Sequence, residues 1–387
     1  MAVCDVAERR RGLGHPLKMG HTANPNAPSP AATAGAGTVV YPFAVCDMAE
    51  RGRGLVALTA IEPYELIARF TAYNHTLYDE PGRSENCTEA PLPDLCHSCL
   101  GWGSQLPVRC TGCASTFCSE SCRGTAMFQG HGLCCAALGR IGAMRKGGKF
   151  SDHERSTACY LLRAFARRVA CDGAESSGRQ EPGDGGVWML ESSFADVAGQ
   201  CQEAECTGAA DEKSEETHRR IIKLATLHAR KLVDEAAALR LLRAELCNSF
   251  HLYDTDERVR GSVMYPQASL LNHSCHPNCA AVATGNALQL VTLRAVRAGE
   301  ELTYCYLRSF REQGRETLDT WGFTCSCARC SGEVDLVRFD TEHRCACGKI
   351  VVAAKAALAR ASGLCHCHSH NRVGPAEAAA DAPVACA

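Results

Sequence analysis

No run of about 18 apolar residues occurs in this 387-residue chain, so no membrane-spanning helix is expected. The first 40 residues lack the apolar block of a signal peptide, which makes a cytoplasmic or nuclear protein the expectation. Charge of one sign is lacking too: 41 basic residues face 43 acidic ones, for a formal net charge of -2. With no basic stripe to displace counterions from phosphates, direct nucleic-acid binding is not expected. Cysteine, in contrast, is abundant at 27 residues. These cysteines cluster in C-x-x-C and C-x-C spacings within a long chain without an export signal, a pattern that favours metal over disulfides. A hydrophobic fraction of 46% against 22% charged residues is enough for a buried core and two or three folded units.

A near-repeat opens the chain: Ala2 to Leu13 returns at Ala44 to Leu55, across an Ala/Pro/Gly/Thr-rich stretch typical of a flexible segment. The fold is therefore expected to begin near Val39, after a flexible extension over 1–38. LVALTAIEPYELIARF reads as a strand, a turn at Pro63 and a second strand. A cysteine-rich module at 96–135 follows the Pro-rich APLPDL. From Ser151 to Cys171, Tyr160, Leu161, Leu162, Phe165 and Val169 recur at helical spacing with Ser151 as the cap, and the helix is expected to end near Gly173. One long helix is expected over roughly 214–246, with Ile221, Leu224, Leu227, Leu232, Ala236, Leu239 and Leu242 on its apolar face. Strands are expected around 262–265 and 288–293. The 57 residues after Cys330 are Ala-rich, with further Cys and His.

Four strings carry chemistry. Cys96-x2-Cys99-x10-Cys110-x2-Cys113-x4-Cys118-x3-Cys122-x8-His131-x3-Cys135 offers eight soft ligands, enough for two closed tetrahedral zinc sites, although the spacing leaves their pairing open. Zinc in such small modules contributes on the order of 10 kcal/mol to folding. Ser269-Leu-Leu-Asn272-His273-Ser-Cys275-His-Pro-Asn-Cys279 sets amide and imidazole groups side by side in a loop, where they can bind a polar ligand. Glu50-Arg51-Gly52-Arg53-Gly54-Leu55 has glycines that let backbone approach a ligand closely. Phe323-Thr-Cys325-Ser-Cys327-Ala-Arg-Cys330 supplies three thiolates and needs a fourth, which Cys275 can provide.

The Ser269–Cys279 string resembles the NHSC-x-PN signature of SET domains. Glu50 to Leu55 resembles the first SET motif, and Gly299-Glu-Glu-Leu-Thr-Tyr304-Cys-Tyr306 resembles the motif that ends in the catalytic tyrosine. The module at 96–135 resembles a MYND zinc finger, with Phe128 and Gly132 where that family commonly has Trp and Lys. The combination resembles the SET and MYND domain-containing methyltransferases over roughly 40–332; Cys247-Asn248-Ser249-Phe250 and Leu190-Glu191-Ser192 also match family strings, with Ser193 where Asn or His is frequent.

The resemblance implies an α+β chain: a β-rich SET fold with an inserted MYND zinc finger, a helical insert and a post-SET zinc site. The SET fold would occupy 39–95 and 255–310, the finger 96–135, the helical insert 136–254, the post-SET segment 311–332 and an Ala/Cys/His-rich tail 333–387. It implies Cys96, Cys99, Cys118 and Cys122 on one zinc, Cys110, Cys113, His131 and Cys135 on a second, and Cys275 with Cys325, Cys327 and Cys330 on a third. Apart from the resemblance, the pairs Cys345/Cys347 and Cys365/Cys367 with His366, His368 and His370 leave two readings open, a fourth zinc site or a disordered tail that binds metal weakly. The implied cofactor is S-adenosylmethionine, held by Arg51, Gly52, Arg53, Gly54, Glu191, Asn248, Ser269, Leu270, Asn272 and His273, with Phe323 near the adenine or the lysine channel. Tyr306 is the implied catalytic residue and Tyr304 its rival. The partners implied are a protein substrate with a target lysine and a proline-rich ligand of the finger, the chain acting as a monomer. The alternative is an inactive adaptor that works through the finger. The C-terminal 57 residues are too few for the large helical domain that encloses the substrate cleft in better-known members.

Overall fold

The structure, a computed structural model, describes residues 42–48, 51–78, 94–103, 106–144, 148–171, 188–190, 192–197, 212–253, 259–307, 318 and 323–332, together with the backbone of 343–344 and 350–351. The first copy of the repeat, Glu191 and the Cys/His pairs from Cys345 to His370 lie outside the described residues.

Three sheets form the β-rich half. Strands β1 (Phe43–Asp47) and β2 (Arg53–Ala57) make a hairpin with Val45 opposite Leu55. Its turn is closed by the Met48 N–H on the Gly52 carbonyl at 2.7 Å, with Gly52 at φ +71°, a conformation open to glycine. After the expected turn at Pro63, β3 (Leu66–Thr71) leads to β4 (Asn74–Leu77). The zinc-finger region adds four two-residue strands, β5 (Asp94–Leu95), β6 (Trp102–Gly103), β7 (Val108–Arg109) and β8 (Thr116–Phe117), then helices α1 (Glu120–Phe128) and α2 (His131–Gly142). Helix α3 (Asp152–Cys171) precedes β9 (Trp188–Leu190), α4 (Glu212–Ala229) and α5 (Glu235–Asn248). The chain then returns to strands: β10 (Ser249–Tyr253), β11 (Val259–Met264), a 3-10 turn Ala268–Leu270, β12 (Asn272–His273), β13 (Cys279–Thr284), β14 (Ala287–Thr292) and β15 (Glu301–Tyr304).

The sheet orders are β1-β2-β15-β12, β10-β11-β4 and β13-β14-β3-β9. In the first, the glycine motif, the Asn272–His273 pair and the strand before Tyr306 become hydrogen-bonded neighbours, although up to about 250 residues separate them. The sheets enclose Leu55, Ile67, Phe70, Val263, Leu271, Leu290 and Leu302, each at most 2% exposed. A second core joins α3, α4 and α5 through Tyr160, Leu161, Phe165, Ile221, Leu224 and Leu241. Each such side chain contributes roughly 1.5–3 kcal/mol by leaving water.

Helix α3 starts as expected. Ser151 Oγ accepts the Glu154 N–H at 3.2 Å and the Glu154 carboxylate accepts the Ser151 N–H at 2.6 Å, a reciprocal capping box. The single long helix expected over 214–246 is two helices. Residues 230–234 break it, and Asp234 caps α5 by accepting the Ala237 N–H at 2.9 Å. Both helices lay an apolar face on the same core, so the 3.6-residue period runs on through the break. The face also differs in detail: Leu227 is 70% exposed, and Ala237, Ala238, Leu241, Leu242 and Ala244 are the buried residues of α5.

Candidate active site and zinc centres

Three ligand groups assemble among the described residues: Cys96, Cys99, Cys118 and Cys122; Cys110, Cys113, His131 and Cys135; and Cys275, Cys325, Cys327 and Cys330. Within each group all ligand atoms lie within 4.8 Å of one another. Ligand-atom separations include 3.3 Å for His131 Nε2 to Cys110 Sγ and 3.9 Å for Cys275 Sγ to Cys325 Sγ. A tetrahedral ion with Zn–S bonds of about 2.3 Å has edges of about 3.8 Å, so the geometry fits three zinc ions. All described cysteines are free of disulfides. Thiols this crowded resist ionising together. Burial, with the neighbouring Cys96 sulfur, pushes Cys99 up to about 12, and burial with Cys110 and Cys113 does the same to Cys135. A divalent ion removes that penalty. Burial, helped by Arg163, also lowers His131, keeping its imidazole in the neutral form a metal needs.

The first two groups interleave along the finger. The cause is local: each C-x2-C pair sits in a tight turn, while α1 and α2 return Cys122, His131 and Cys135 to those turns. Ser119 caps α1 by accepting the Cys122 N–H at 3.1 Å, which orients that ligand.

The seam between β2, β12 and β15 holds the remaining candidates. Asn272 Nδ2 donates to the Arg53 carbonyl at 3.2 Å and to Glu301 Oε1 at 2.9 Å, and the Glu301 carboxylate is also ion-paired with Arg51. A Cβ at position 54 would lie 2.9 Å from Glu301 Oε1 and 3.0 Å from Asn272 Nδ2, so this close approach requires glycine. Ser269 Oγ donates to the Asn248 carbonyl at 2.9 Å, tying the end of α5 to the 3-10 turn that contains Leu270. The half-buried Asn248 amide makes no hydrogen bond among the described residues and is free to hold a ligand.

Tyr306 is held at two atoms by the Leu271–His273 segment. Its N–H donates to His273 Nδ1 at 3.0 Å and its hydroxyl to the Leu271 carbonyl at 2.9 Å. With Nδ1 accepting, His273 carries its proton on Nε2, which faces Cys275 Sγ at 3.1 Å. One imidazole thus links the third zinc group to the backbone of Tyr306. Aromatic rings wall this region: Tyr306 lies 4.9 Å from Tyr304 and 6.2 Å from Phe323 by ring centroid, and Phe250 stacks on Tyr304 at 5.7 Å. Burial pushes both tyrosine phenols above their ordinary range, so both remain protonated.

Sequence reasoning missed Glu301, Asn278 and the ring of Phe250. Asn278 is 1% exposed; its Oδ1 accepts the Thr303 N–H at 2.8 Å and its Nδ2 donates to the Glu301 carbonyl at 2.7 Å, clasping β15. Both polar residues stand inside quoted motifs, and only their partners were hidden.

Fold and site together define a β-sheet domain that carries an inserted zinc finger and is closed by a further cysteine group beside a tyrosine seam. The chain belongs to the SET-domain family: the SET domain model matches residues 52–307. It is similar to human histone-lysine N-methyltransferase SMYD3, 28% identical over 291 residues, 72% of this chain and 58% of that protein. A SET and MYND domain-containing protein of Dictyostelium discoideum is 30% identical over 90 residues, 22% of this chain and 23% of that one. The match thus spans little more than half of SMYD3. The SET domain of LSMT bound to lysine and AdoHcy overlays with a TM-score of 0.29 at 15% identity, covering 74% of this chain and 54% of that one, and the family assignment rests on sequence.

Proposed function

We propose that the chain is an S-adenosylmethionine-dependent protein-lysine N-methyltransferase, acting on a histone or another protein. The observation that carries this reading is Tyr306, pinned at both its amide and its hydroxyl by the NHSC loop and set among Tyr304, Phe250 and Phe323. The kinship with a protein named histone-lysine N-methyltransferase supports it. The close approach at Gly54 and the unpartnered Asn248 amide fit a cofactor with a polar amino-acid end. Arg51, Gly52, Arg53, Gly54, Asn248, Ser269, Leu270, Asn272 and His273 would hold it, with Phe323 against its base; Glu191 joins them by resemblance alone. When bound, the cofactor supplies a methyl group on a positively charged sulfur.

The chain's own task is to present a neutral amine in line with that methyl. Deprotonating a lysine of ordinary pKa near 10.4 at about pH 7.4 costs roughly 4 kcal/mol. Walls of Phe250, Tyr304 and Tyr306 strip water from the ammonium and so favour the amine. The Tyr306 hydroxyl, kept protonated by burial, orients the amine and is no base at neutral pH.

Transfer of labelled methyl from S-adenosylmethionine to histones and cell-extract proteins by the zinc-loaded chain tests the reading, with Tyr306→Phe alongside. Labelling by the wild type alone supports it; absence of both labelling and cofactor binding refutes it. That second result would favour the adaptor, for which one observation speaks: Met127, Phe128 and Leu133 stand 51%, 77% and 54% exposed on the finger, a surface for a proline-rich ligand. A cytoplasmic or nuclear monomer completes the reading.

A further inference from the structure

A cavity of about 80 Å³ lies where the zinc finger meets α3 and β4, apart from the tyrosine seam. Its polar wall includes His75 on β4, His97 and Ser98 from the finger, and Arg163 on α3, with the zinc-group His131 and with Arg167, which donates to the Ala72, Tyr73 and Ser192 carbonyls. Arg163 is half-buried and makes no hydrogen bond or ion pair with any described residue. Among the described residues lining the cavity, none is Asp or Glu.

His75 is 5% exposed, and its Nε2 is buried without a hydrogen-bond partner. The His97 ring lies 5.5 Å away, its Nδ1 3.2 Å from the Thr116 nitrogen and 3.3 Å from the Thr116 carbonyl oxygen. A half-buried guanidinium without a counter-ion, beside a buried imidazole nitrogen without a hydrogen-bond partner, is an arrangement that a bound anion completes. A metal ion is the wrong ligand, because it would place a second positive charge against the guanidinium. Water can satisfy the imidazole and leaves the charge uncompensated. That volume is well above the roughly 10–15 Å³ needed to hold one water and leaves room for an ion of about five heavy atoms. Asn286, which is exposed, also borders the cavity and marks its opening to solvent.

We propose that this cavity binds a small tetrahedral oxyanion of the phosphate or sulfate class, with Arg163 as its counter-ion and the His75 Nε2–H as its directional donor. The ion would lie where the finger, through His97 and Ser98, meets α3 and β4. The inference does not depend on methyl transfer.

The test is thermal unfolding and calorimetry of the full-length, zinc-loaded chain with sodium phosphate and sodium sulfate against chloride at matched ionic strength. Expected is a saturable rise in Tm with phosphate in the wild type, with affinity at least tenfold weaker in Arg163→Gln and partly retained in Arg163→Lys. An equal, non-saturating rise in wild type and Arg163→Gln would be general salt exclusion from the surface and would overturn the proposal, as would no binding to the wild type. Should Arg163→Gln not fold, the phosphorus resonance of phosphate decides: broadening by the wild type that sulfate reverses and chloride does not supports the site, and an unbroadened line refutes it.

Discussion

Asn278 illustrates how a single side chain carries the seam: it is almost fully buried and satisfies the backbone of β15 from both ends of its amide. Asn278→Ala strands a buried N–H and a carbonyl, each costing about 1–3 kcal/mol. A loss of about 2–4 kcal/mol in a denaturant melt is expected; a loss under about 0.5 kcal/mol would mean that water replaces the amide. Gly54→Ala acts differently. Its Cβ would push on Glu301 and Asn272, and the flexible Met48 side chain, 2.5 Å from that Cβ, can yield where those two cannot. Stability should fall modestly while cofactor affinity falls tenfold or more, read by calorimetry. Equal affinity would remove β2 from the proposed cofactor site.

At the level of the element, α3 is set by its capping box and by Glu154, whose side chain is 7% exposed and ion-paired with Arg220 on α4. Ser151→Ala should cost about 1 kcal/mol, measured by chemical unfolding. Burial alone would raise the Glu154 carboxyl, but the Arg220 guanidinium and the Ser151 N–H and hydroxyl outweigh it and hold it below the usual carboxylate range. A carboxyl depressed in the folded state stabilises the protein above its unfolded pKa, near 4.3, and loses that contribution as pH falls through the folded value. The stability gap between wild type and Glu154→Gln should therefore be constant near neutrality and shrink from about pH 5 downward. A gap that widens with acid would contradict the pairing.

For the whole molecule, the three zinc groups divide the labour between folding the finger and closing the site. Chelation should unfold the finger, whose own core is small: Cys96, Leu106, Phe117 and Ala126. A module of that size draws on the order of 10 kcal/mol from its metal. Cys118→Ser and Cys327→Ser should separate the two roles: the first releases zinc and leaves cofactor affinity within about twofold, the second loosens the Cys275–His273–Tyr306 linkage and weakens cofactor binding. Equal effects on cofactor would show that the finger and the seam are coupled.

What the sequence determined by itself is what depends on short separations. A C-x2-C pair reaches one ion because a single turn fixes the distance between its sulfurs, and Ser151 caps α3 because the groups it satisfies lie three residues away. The glycines at 52 and 54 and the tyrosine at 306 were legible for a related reason, since they stand in strings that chemistry constrains residue by residue. The break at 230–234 was not legible, because two helices packed on one core preserve one helix's period. Nor were the partners of Glu301 and Asn278, the parallel pairing of β12 with β15, or the meeting of His75, His97 and Arg163 in one cavity. Those contacts join residues far apart along the chain, and side-chain packing across sheets and helices, which no local spacing encodes, is what brings them together.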